Sequence, residues 1–250
     1  MLKKDKNKLI ISILLDSNSY SKRCEKIVCD LIECIKKEFN YFNGIDIQEI
    51  SLLKNKQINF CRNCKTCFNT HNCILDIKDN MDIEKDNLKK SDLFIIATPI
   101  YEKNVSAFIK AFLDRVGYWC HTMEMLGKRC IIVVTGKFSG INEVCKYLYE
   151  ICSYMGFNVI AIISDNSLKS SRDLSSEIDF MAKRVSEMVV LELYNTSNMM
   201  LESIYQKYKY IYLDSGDDNF ECSYWKNSQF IENYEEFCGV IKNLKVLDNV

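Results

Sequence analysis

The chain has 250 residues, a formal net charge of −1 and an apolar fraction of 48%. This composition is typical of a globular protein that buries a hydrophobic core, and it excludes collagen-like, mucin-like and mainly disordered chains. The balanced charge gives no reason to expect nucleic acid as a partner. No apolar run approaches the roughly 20 residues that span a bilayer, so a membrane partner is not expected either.

The thirteen cysteines are an odd number, so they cannot all pair in internal disulfides. A chain of this length does not depend on disulfides for stability. The N-terminal lysines and the apolar run 9–15 faintly resemble a signal peptide, but Asp16 follows at once and no small-residue cleavage site is present. A buried strand explains the run better, and the sequence predicts a cytoplasmic protein with reduced or metal-bound thiols.

Apolar runs of strand length alternate with longer amphipathic segments along the first 194 residues. Strands that are apolar throughout indicate a parallel sheet covered by helices on both faces. The predicted strands are 8–15, 46–50, 92–98, 128–135 and 157–163. The predicted helices are 21–39, 83–90, 105–119, 141–155 and 174–194. This alternation predicts a doubly wound α/β domain with a five-stranded parallel sheet.

Residues 195–250 interrupt this alternation. The segment 197–212 is rich in tyrosine and is predicted to be helical, 214–219 is a polar turn, and 224–247 contains a further helix. We therefore expect 1–194 to form one domain, with the cysteine loop 59–80 inside it. Residues 195–250 are expected to form a helical extension that packs on this domain or on a second subunit.

The loop after the first strand has the chemistry of a phosphate site. Parallel α/β sheets bind ligands at the carboxyl ends of their strands. Ser17, Ser19 and Ser21 stand there at the start of a helix, where hydroxyls and free backbone N–H groups favour an anion. Lys22 or Arg23 offers positive charge. A simple helix cap is the alternative interpretation, because serine is an ordinary capping residue.

The loops after the third and fourth strands suit a flat ring. Pro99, the only proline of the chain, fixes a rigid extended turn whose backbone groups can face the polar edge of a ring. Tyr101 offers a stacking surface beside it. After the fourth strand, Gly136 and Gly140 let the backbone approach a ligand closely. Plain strand ends without a ligand are the alternative for both loops.

Four of the cysteines form a compact motif. Cys61, Cys64, Cys67 and Cys73 have the spacing C-x2-C-x2-C-x5-C. The first three match the start of a bacterial-type 4Fe–4S motif. Four thiolates can equally hold zinc, and a loop of free thiols is the third alternative. His71 lies inside this loop, and we expect it to be exposed to solvent rather than to act as a ligand.

Several other kinds of site are absent from the sequence. No G-x-G-x-x-G follows the first strand, which argues against a Rossmann-type dinucleotide site, and no P-loop motif is present. No G-x-S-x-G nucleophile motif occurs either. His71 and His121 are the only histidines, so a multi-histidine zinc site is excluded.

The central region resembles a known family. The pattern T-P-I-Y-x-x-N-V-S at 98–106, followed by Lys110, Asp114 and Arg115, resembles the signature of the flavodoxin-like NAD(P)H-dependent FMN reductases. The cysteine motif resembles that of the branch containing the iron–sulfur flavoproteins. The resemblance covers roughly residues 8–163. It implies a flavodoxin-like fold, bound FMN, NAD(P)H as a transient electron donor, and a homodimer or homotetramer.

The resemblance also implies roles for particular residues, none of them an acid or a base. Lys110, Asp114 and Arg115 would shape their helix and a subunit contact. The implied FMN ligands are Ser17, Ser19 and Ser21 at the phosphate, Thr98, Pro99, Ile100, Tyr101 and Asn104 at the isoalloxazine, and Thr135 and Gly136 at its third side. Asp16 departs from the pattern, because the family usually has glycine there. A carboxylate facing the phosphate would weaken FMN binding.

These observations lead to hypotheses from different functional classes. The first is an FMN-dependent oxidoreductase that takes electrons from NAD(P)H or a ferredoxin and passes them to a small-molecule or protein partner, with a 4Fe–4S cluster as a candidate second cofactor. The alternative, motivated by Asp16, is a non-catalytic module that bears zinc or a cluster on a degenerate flavodoxin scaffold. A third is a flavin enzyme that acts on a specific metabolite or peptide, which fold alone does not decide.

Overall fold

The computed structural model describes residues 8–16, 22–42, 46–53, 57–137, 139–166, 169–190, 198–216, 219–226 and 231–239. Its strands are β1 (Lys8–Leu15), β2 (Asp46–Ser51), β3 (Leu93–Pro99), β4 (Arg129–Thr135) and β5 (Asn158–Asp165). Its helices are α1 (Lys22–Phe42), α2 (Thr66–Thr70), α3 (Asp76–Asp79), α4 (Met81–Lys90), α5 (Ala107–Arg115), α6 (Ile141–Tyr154), α7 (Ser171–Val190), α8 (Met199–Leu213) and α9 (Phe220–Lys226). A 3-10 helix covers Gly117–His121.

The strands form one parallel sheet in the order β2-β1-β3-β4-β5. The chain moves outward in one direction from β1 to β2 and in the other from β3 to β5. The switch between the two directions lies between β1 and β3, where sheets of this type bind their ligands. The predicted flavodoxin-like, five-stranded parallel sheet is confirmed.

Helices cover both faces of the sheet because its central strands are apolar on both sides. On one face, α1 and α7 pack on β-strand residues such as Ile95 and Val133. On the other face, α4, α5 and α6 surround Phe94 and Trp119. Burying each large apolar side chain stabilises the fold by about 1.5–3 kcal/mol. The two-sided core holds the carboxyl ends of the strands in fixed positions.

The element boundaries differ from the prediction mainly in the loops. The five strands begin and end within two residues of their predicted bounds. Helices α2 and α3 were not predicted, because four or five residues are too few to show a helical period. The predicted helix 105–119 is divided, since α5 ends at Arg115 and a 3-10 helix follows.

The C-terminal extension packs on the α/β domain. The Nε1 of Trp225 donates to the carbonyl of His121 at 2.8 Å, and the hydroxyl of Tyr234 donates to the carbonyl of Gly156 at 2.9 Å. The prediction that 224–247 contains a further helix is confirmed by the helical residues 234–239, whereas α9, which begins at Phe220, was not predicted as a separate helix. No helix in the described segments is long and apolar enough to cross a membrane. The proposed domain boundary at 194 lies outside the described residues.

Candidate functional site

The loop after β3 is a short hairpin at the carboxyl edge of the sheet. The amide of Ile100 donates to the carbonyl of Thr135 at 2.9 Å, which joins this loop to the end of β4. Tyr101 and Asn104 exchange two backbone hydrogen bonds of 2.9 and 2.8 Å. The buried hydroxyl of Thr98 accepts from the amide of Ser106 at 3.2 Å and so closes the loop at its base.

This loop presents the predicted ring-binding residues together. Thr98 is fully buried, Pro99 and Ile100 are half-buried, and Tyr101 and Asn104 are exposed. Tyr101 is 46% exposed, so its ring is accessible to a ligand. The side-chain oxygen of Asn104 accepts from the amide of Val105 at 2.8 Å and so orients the turn. The structure therefore brings the five predicted residues of this loop to one edge.

The loop after β4 packs directly on the hairpin. A Cβ atom added at Gly136 would lie 2.6 Å from Cδ1 of Ile100, and one added at Gly140 would lie 2.8 Å from Cα of Lys103. Gly140 also has a left-handed backbone, with φ of 94°. These glycines allow two loops to touch, which is a structural reason for them in addition to the predicted approach to a ligand.

The carboxyl end of β1 carries a buried acidic group. Asp16 is 3% exposed, and Cys24 of α1 lies close to it. Burial raises the pKa of Cys24 to about 12, although a hydrogen bond with Thr135 opposes the shift. Arg23 donates to the buried carboxylate of Asp165 at 2.7 Å, so the predicted phosphate cation already binds a carboxylate. The predicted phosphate ligands Ser17, Ser19 and Ser21 lie outside the described residues.

The four motif cysteines line one cavity of about 90 Å³. They reach it from the segment before α2, from α2 itself and from the turn before α3. All four are free thiols. Within the described segments, no group of three or more His, Cys, Asp or Glu side chains is arranged to hold a metal ion. A metal centre at the four thiols therefore requires the sulfur atoms to draw closer around the cavity. The cysteines are Cys61, Cys64, Cys67 and Cys73.

The environments of these thiols differ. Burial raises the pKa of Cys67, and the charges of the other three cysteines raise it further. Hydrogen bonds with Thr66 lower the pKa of the exposed Cys64 thiol. The mutual effect of the four sulfur atoms indicates that they are neighbours. A metal cation among them would relieve the repulsion of four thiolates, which is the usual chemistry of a four-cysteine centre.

A buried arginine holds the base of the cysteine loop. One terminal nitrogen of Arg115 donates to the carbonyl of Asn59 at 2.9 Å and to Asp79 at 2.6 Å. The other donates to Asp76 at 2.7 Å. The side chain is 0% exposed. The expectation that Arg115 contributes to a subunit contact is not supported, because its guanidinium is buried inside the chain.

The charges of this network stabilise one another. Burial alone would raise the pKa of Asp79, but hydrogen bonds from Arg115 and Asn59 outweigh it and lower the pKa to about 2. Burial also opposes the charge of Arg115, yet its bonds to Asp79 and Asp76 raise its pKa. The charge of Arg115 therefore keeps the carboxylate of Asp79 ionised, and the carboxylates compensate the buried guanidinium.

A second buried cation adjoins the same acid. The Nζ of Lys85 donates to Asp76 at 2.7 Å and to the hydroxyl of Tyr118 at 3.3 Å. Burial lowers the pKa of Lys85, and the interaction with Asp76 opposes that shift. Asp76, Asp79 and Lys85 were not predicted to be site residues. The available signal was three charged residues shortly after the last motif cysteine, but nothing in the sequence pairs them with Arg115.

The C-terminal extension covers one side of the cysteine loop. The ring of His71 stacks on Phe220 of α9 at 4.5 Å between centroids, and its Nε2 lies 3.0 Å from Glu124. Phe68 of α2 contacts the ring of His121 at 4.9 Å. The expected exposure of His71 is wrong, because only 17% of its side chain is exposed. His71 and His121 therefore both lie at the interface between the cysteine loop and the C-terminal extension.

The comparisons with known proteins agree with this fold. The sequence profile described as NADPH-dependent FMN reductase matches residues 10–164, which is more than half of the chain. The chain therefore belongs to the NADPH-dependent FMN reductase family. Among solved structures, the FMN-dependent NADH-azoreductase from Bacillus anthracis in complex with FMN has a TM-score of 0.53 and 15% identity, and the alignment covers 72% of this chain and 100% of that one. That likeness shows the fold alone.

Curated proteins with similar sequences include two iron-sulfur flavoproteins. An iron-sulfur flavoprotein of Archaeoglobus fulgidus is 31% identical over 147 residues, which cover 54% of this chain and 66% of that protein. An iron-sulfur flavoprotein of Methanosarcina thermophila is 26% identical over 146 residues, which cover 58% of this chain and 71% of that protein. The matches therefore span about two thirds of the length of these relatives.

Proposed function

We propose that the protein is an FMN-dependent oxidoreductase with a 4Fe–4S cluster at its four clustered cysteines. The observation that carries the proposal is the position of α5. This helix begins just after the hairpin at the carboxyl edge of the sheet and ends at Arg115, which lines the cysteine cavity. Nine helical residues span roughly 13 Å, so one short rigid element connects the two candidate cofactor sites.

The hairpin and the loop after β4 would hold the flavin ring. Thr98, Pro99, Ile100, Tyr101 and Asn104 lie on one side of this edge, and the end of β4 lies on the other. When bound, FMN supplies exchange between two-electron and one-electron transfer, taking a hydride from NAD(P)H or single electrons from a ferredoxin and releasing them to a redox partner. On the β4 side, the residues are Thr135 and Gly136. Family membership supports the binding of FMN, and the name of the curated relatives supports the presence of an iron–sulfur cluster.

The cysteine motif supports a cluster in preference to zinc. Its two x2 spacings match the start of a 4Fe–4S motif, whereas structural zinc sites usually join two separated pairs of cysteines. The thiols surround a common cavity of about 90 Å³. Cys61, Cys64, Cys67 and Cys73 would be the ligands. The homodimer or homotetramer implied by the family resemblance remains a prediction.

The test is the cofactor content of protein purified without oxygen. We expect flavin absorbance, about four iron atoms and four sulfides per chain, and bleaching of the flavin on addition of NADPH, NADH or a reduced ferredoxin. Cys67→Ser should remove iron but leave flavin. Cys145→Ser is the matched control, because Cys145 is also half-buried but lies outside the motif. Protein with neither flavin nor iron would refute the proposal.

A second candidate function is a metal-bearing module without flavin. The observation that favours it is the buried carboxylate of Asp16 at the end of β1, next to the predicted phosphate loop. An anion there opposes a phosphate. Under this alternative the purified protein contains zinc or a cluster and does not bind FMN. Substitution Asp16→Asn would then restore FMN binding, whereas under the main proposal the wild-type protein already binds it.

A further inference from the structure

Arg115 joins the two ends of the cysteine loop. Asn59 stands two residues before the first motif cysteine, and Asp76 stands three residues after the last one. The guanidinium binds both, and it also binds Asp79. One planar group with several fixed donors can make these contacts together, whereas a lysine ammonium cannot match this fork geometry. Arg115 therefore joins the two ends of the loop that carries the thiols, and Asp79 reinforces the closure by accepting from the amide and the side chain of Asn59 at 2.8 and 3.0 Å.

The Nε–H of Arg115 is buried and forms no hydrogen bond with any residue that the structure describes. An unsatisfied buried donor destabilises a fold, so natural proteins rarely leave one without a function. Arg115 also lines the cavity that the four cysteines surround. A sulfur atom of an anionic centre in that cavity would be an acceptor for this donor.

The neighbourhood of the cavity favours an anionic occupant. Its lining contains three cations, Arg62, Lys65 and Arg115, and one carboxylate, Asp114. The two carboxylates of the buried network are already bound by Arg115 and Lys85. These carboxylates and a backbone carbonyl occupy the terminal nitrogens of Arg115, so its Nε–H is the donor that is left for an occupant of the cavity.

We propose that Arg115 is a positioning residue for the centre held by the four cysteines. It brings the ends of the loop together so that the thiols can converge, and its Nε–H donates a hydrogen bond to a sulfur of the centre. This inference rests on the proposed function, because it requires a metal centre at these thiols. Residues outside the metal ligands commonly change metal affinity by 10- to 100-fold through such contacts.

The test compares two variants with the wild-type holoprotein, prepared without oxygen. Arg115→Lys keeps the positive charge but removes the Nε–H donor and the two terminal nitrogens of the planar guanidinium. We expect a chelator to remove iron about tenfold faster and the midpoint potential of the centre to fall, because hydrogen bonds to sulfur stabilise the reduced state. Asp79→Asn weakens loop closure but keeps Nε–H, so iron loss should accelerate while the potential does not fall, because this variant removes a negative charge and not a donor. Flavin content should remain constant in both variants.

Lys110→Arg is the matched control, because it makes the opposite exchange on the same helix and keeps the exposed pair with Asp114. It should leave iron release and potential at the wild-type values. Hydrogen exchange of residues 57–80 in the apoprotein gives a readout that needs no metal, and Arg115→Lys should accelerate it. The Asp79→Asn variant serves if Arg115→Lys does not fold.

The outcomes separate the two claims. Wild-type protein that holds iron and sulfide, together with an Arg115→Lys variant that has unchanged iron release and potential, overturns the role of Arg115 and leaves the proposed function intact. Faster hydrogen exchange with an unchanged potential reduces Arg115 to a purely structural role and also overturns the inference. Wild-type protein that holds neither a cluster nor zinc at the thiols overturns the role of Arg115 and the cluster of the proposed function, whereas its flavin content tests the oxidoreductase separately.

Discussion

The loop after β3 is held by main-chain hydrogen bonds, whereas the cysteine loop is held by buried charges. Tyr101 and Asn104 pair through their backbones, and Gly140 lets the neighbouring loop approach. At the base of the cysteine loop, Arg115 instead binds Asp76 and Asp79. The first arrangement does not require an ionised side chain. The second exists only while its charges are paired.

This difference determines how each region responds to amino-acid substitutions. A backbone-built edge tolerates most side-chain substitutions, because its hydrogen bonds belong to the main chain. A buried ion-pair network does not, because removing one partner leaves the other charge uncompensated in the interior. The edge formed by the loops after β3 and β4, where we propose that FMN binds, should therefore be sensitive to backbone strain. The cysteine loop should be sensitive to charge and pH.

The largest expected effect comes from removing the central cation of the cysteine loop. Arg115→Met leaves Asp76 and Asp79 without their main partner, so the free energy of unfolding should fall by about 3–5 kcal/mol. Denaturation by urea would measure the loss. The control Lys110→Met breaks an exposed pair on the same helix and should cost less than about 1 kcal/mol. Equal losses of unfolding free energy in the two variants would show that the buried ion pairs stabilise the fold no more than the exposed pair does.

The next effect is a dependence of stability on acid pH. The pKa of Asp79 falls from 3.8 to about 2 on folding. Its contribution, on the order of 2 kcal/mol, is complete above the unfolded pKa and is lost as the pH falls from about 4 to about 2. Comparing Asp79→Asn with wild type by denaturation across this range should show the difference between them shrinking. If the difference in stability between the two proteins stays constant with pH, the charge of Asp79 does not hold the cysteine loop.

The smallest expected effect tests the backbone-built edge. Gly140→Ala places a side chain at φ of 94° and 2.8 Å from the backbone of Lys103, which should cost about 1–2 kcal/mol. The two loops would separate, and FMN should dissociate faster. Gly216→Ala is the control, because a Cβ there meets nothing within 4 Å. Thermal unfolding and flavin release should both remain at wild-type values in the control.

The two regions also differ in how far the sequence predicts them. Pro99 and Tyr101 were recognisable because a lone proline at a strand end and a local motif lie within a few residues. The cysteines were recognisable for the same reason of close spacing. The partnership of Arg115 with Asp76 and Asp79 was not, because 36 to 39 residues separate them. Nothing in a single sequence reports which distant charges meet.

The extension shows the same limit. A tyrosine-rich helix at 197–212 was predicted and corresponds to α8. The contact of Phe220 with His71 was not predicted, and it changes the interpretation of His71 from an exposed loop residue to part of an interface. Local periodicity reports which face of a helix is apolar. It does not report which part of the domain that face will cover.

By itself, the sequence determined the order of strands and helices, the apolar core and the positions of the candidate ligands, because these depend on local patterns of burial and spacing. The tertiary structure alone decided how the cysteine loop is held. It also decided that Gly136 and Gly140 accommodate a neighbouring loop and that Arg115 faces inward. Those features depend on contacts between residues far apart in the chain, which form only when the sheet brings its loops to one edge.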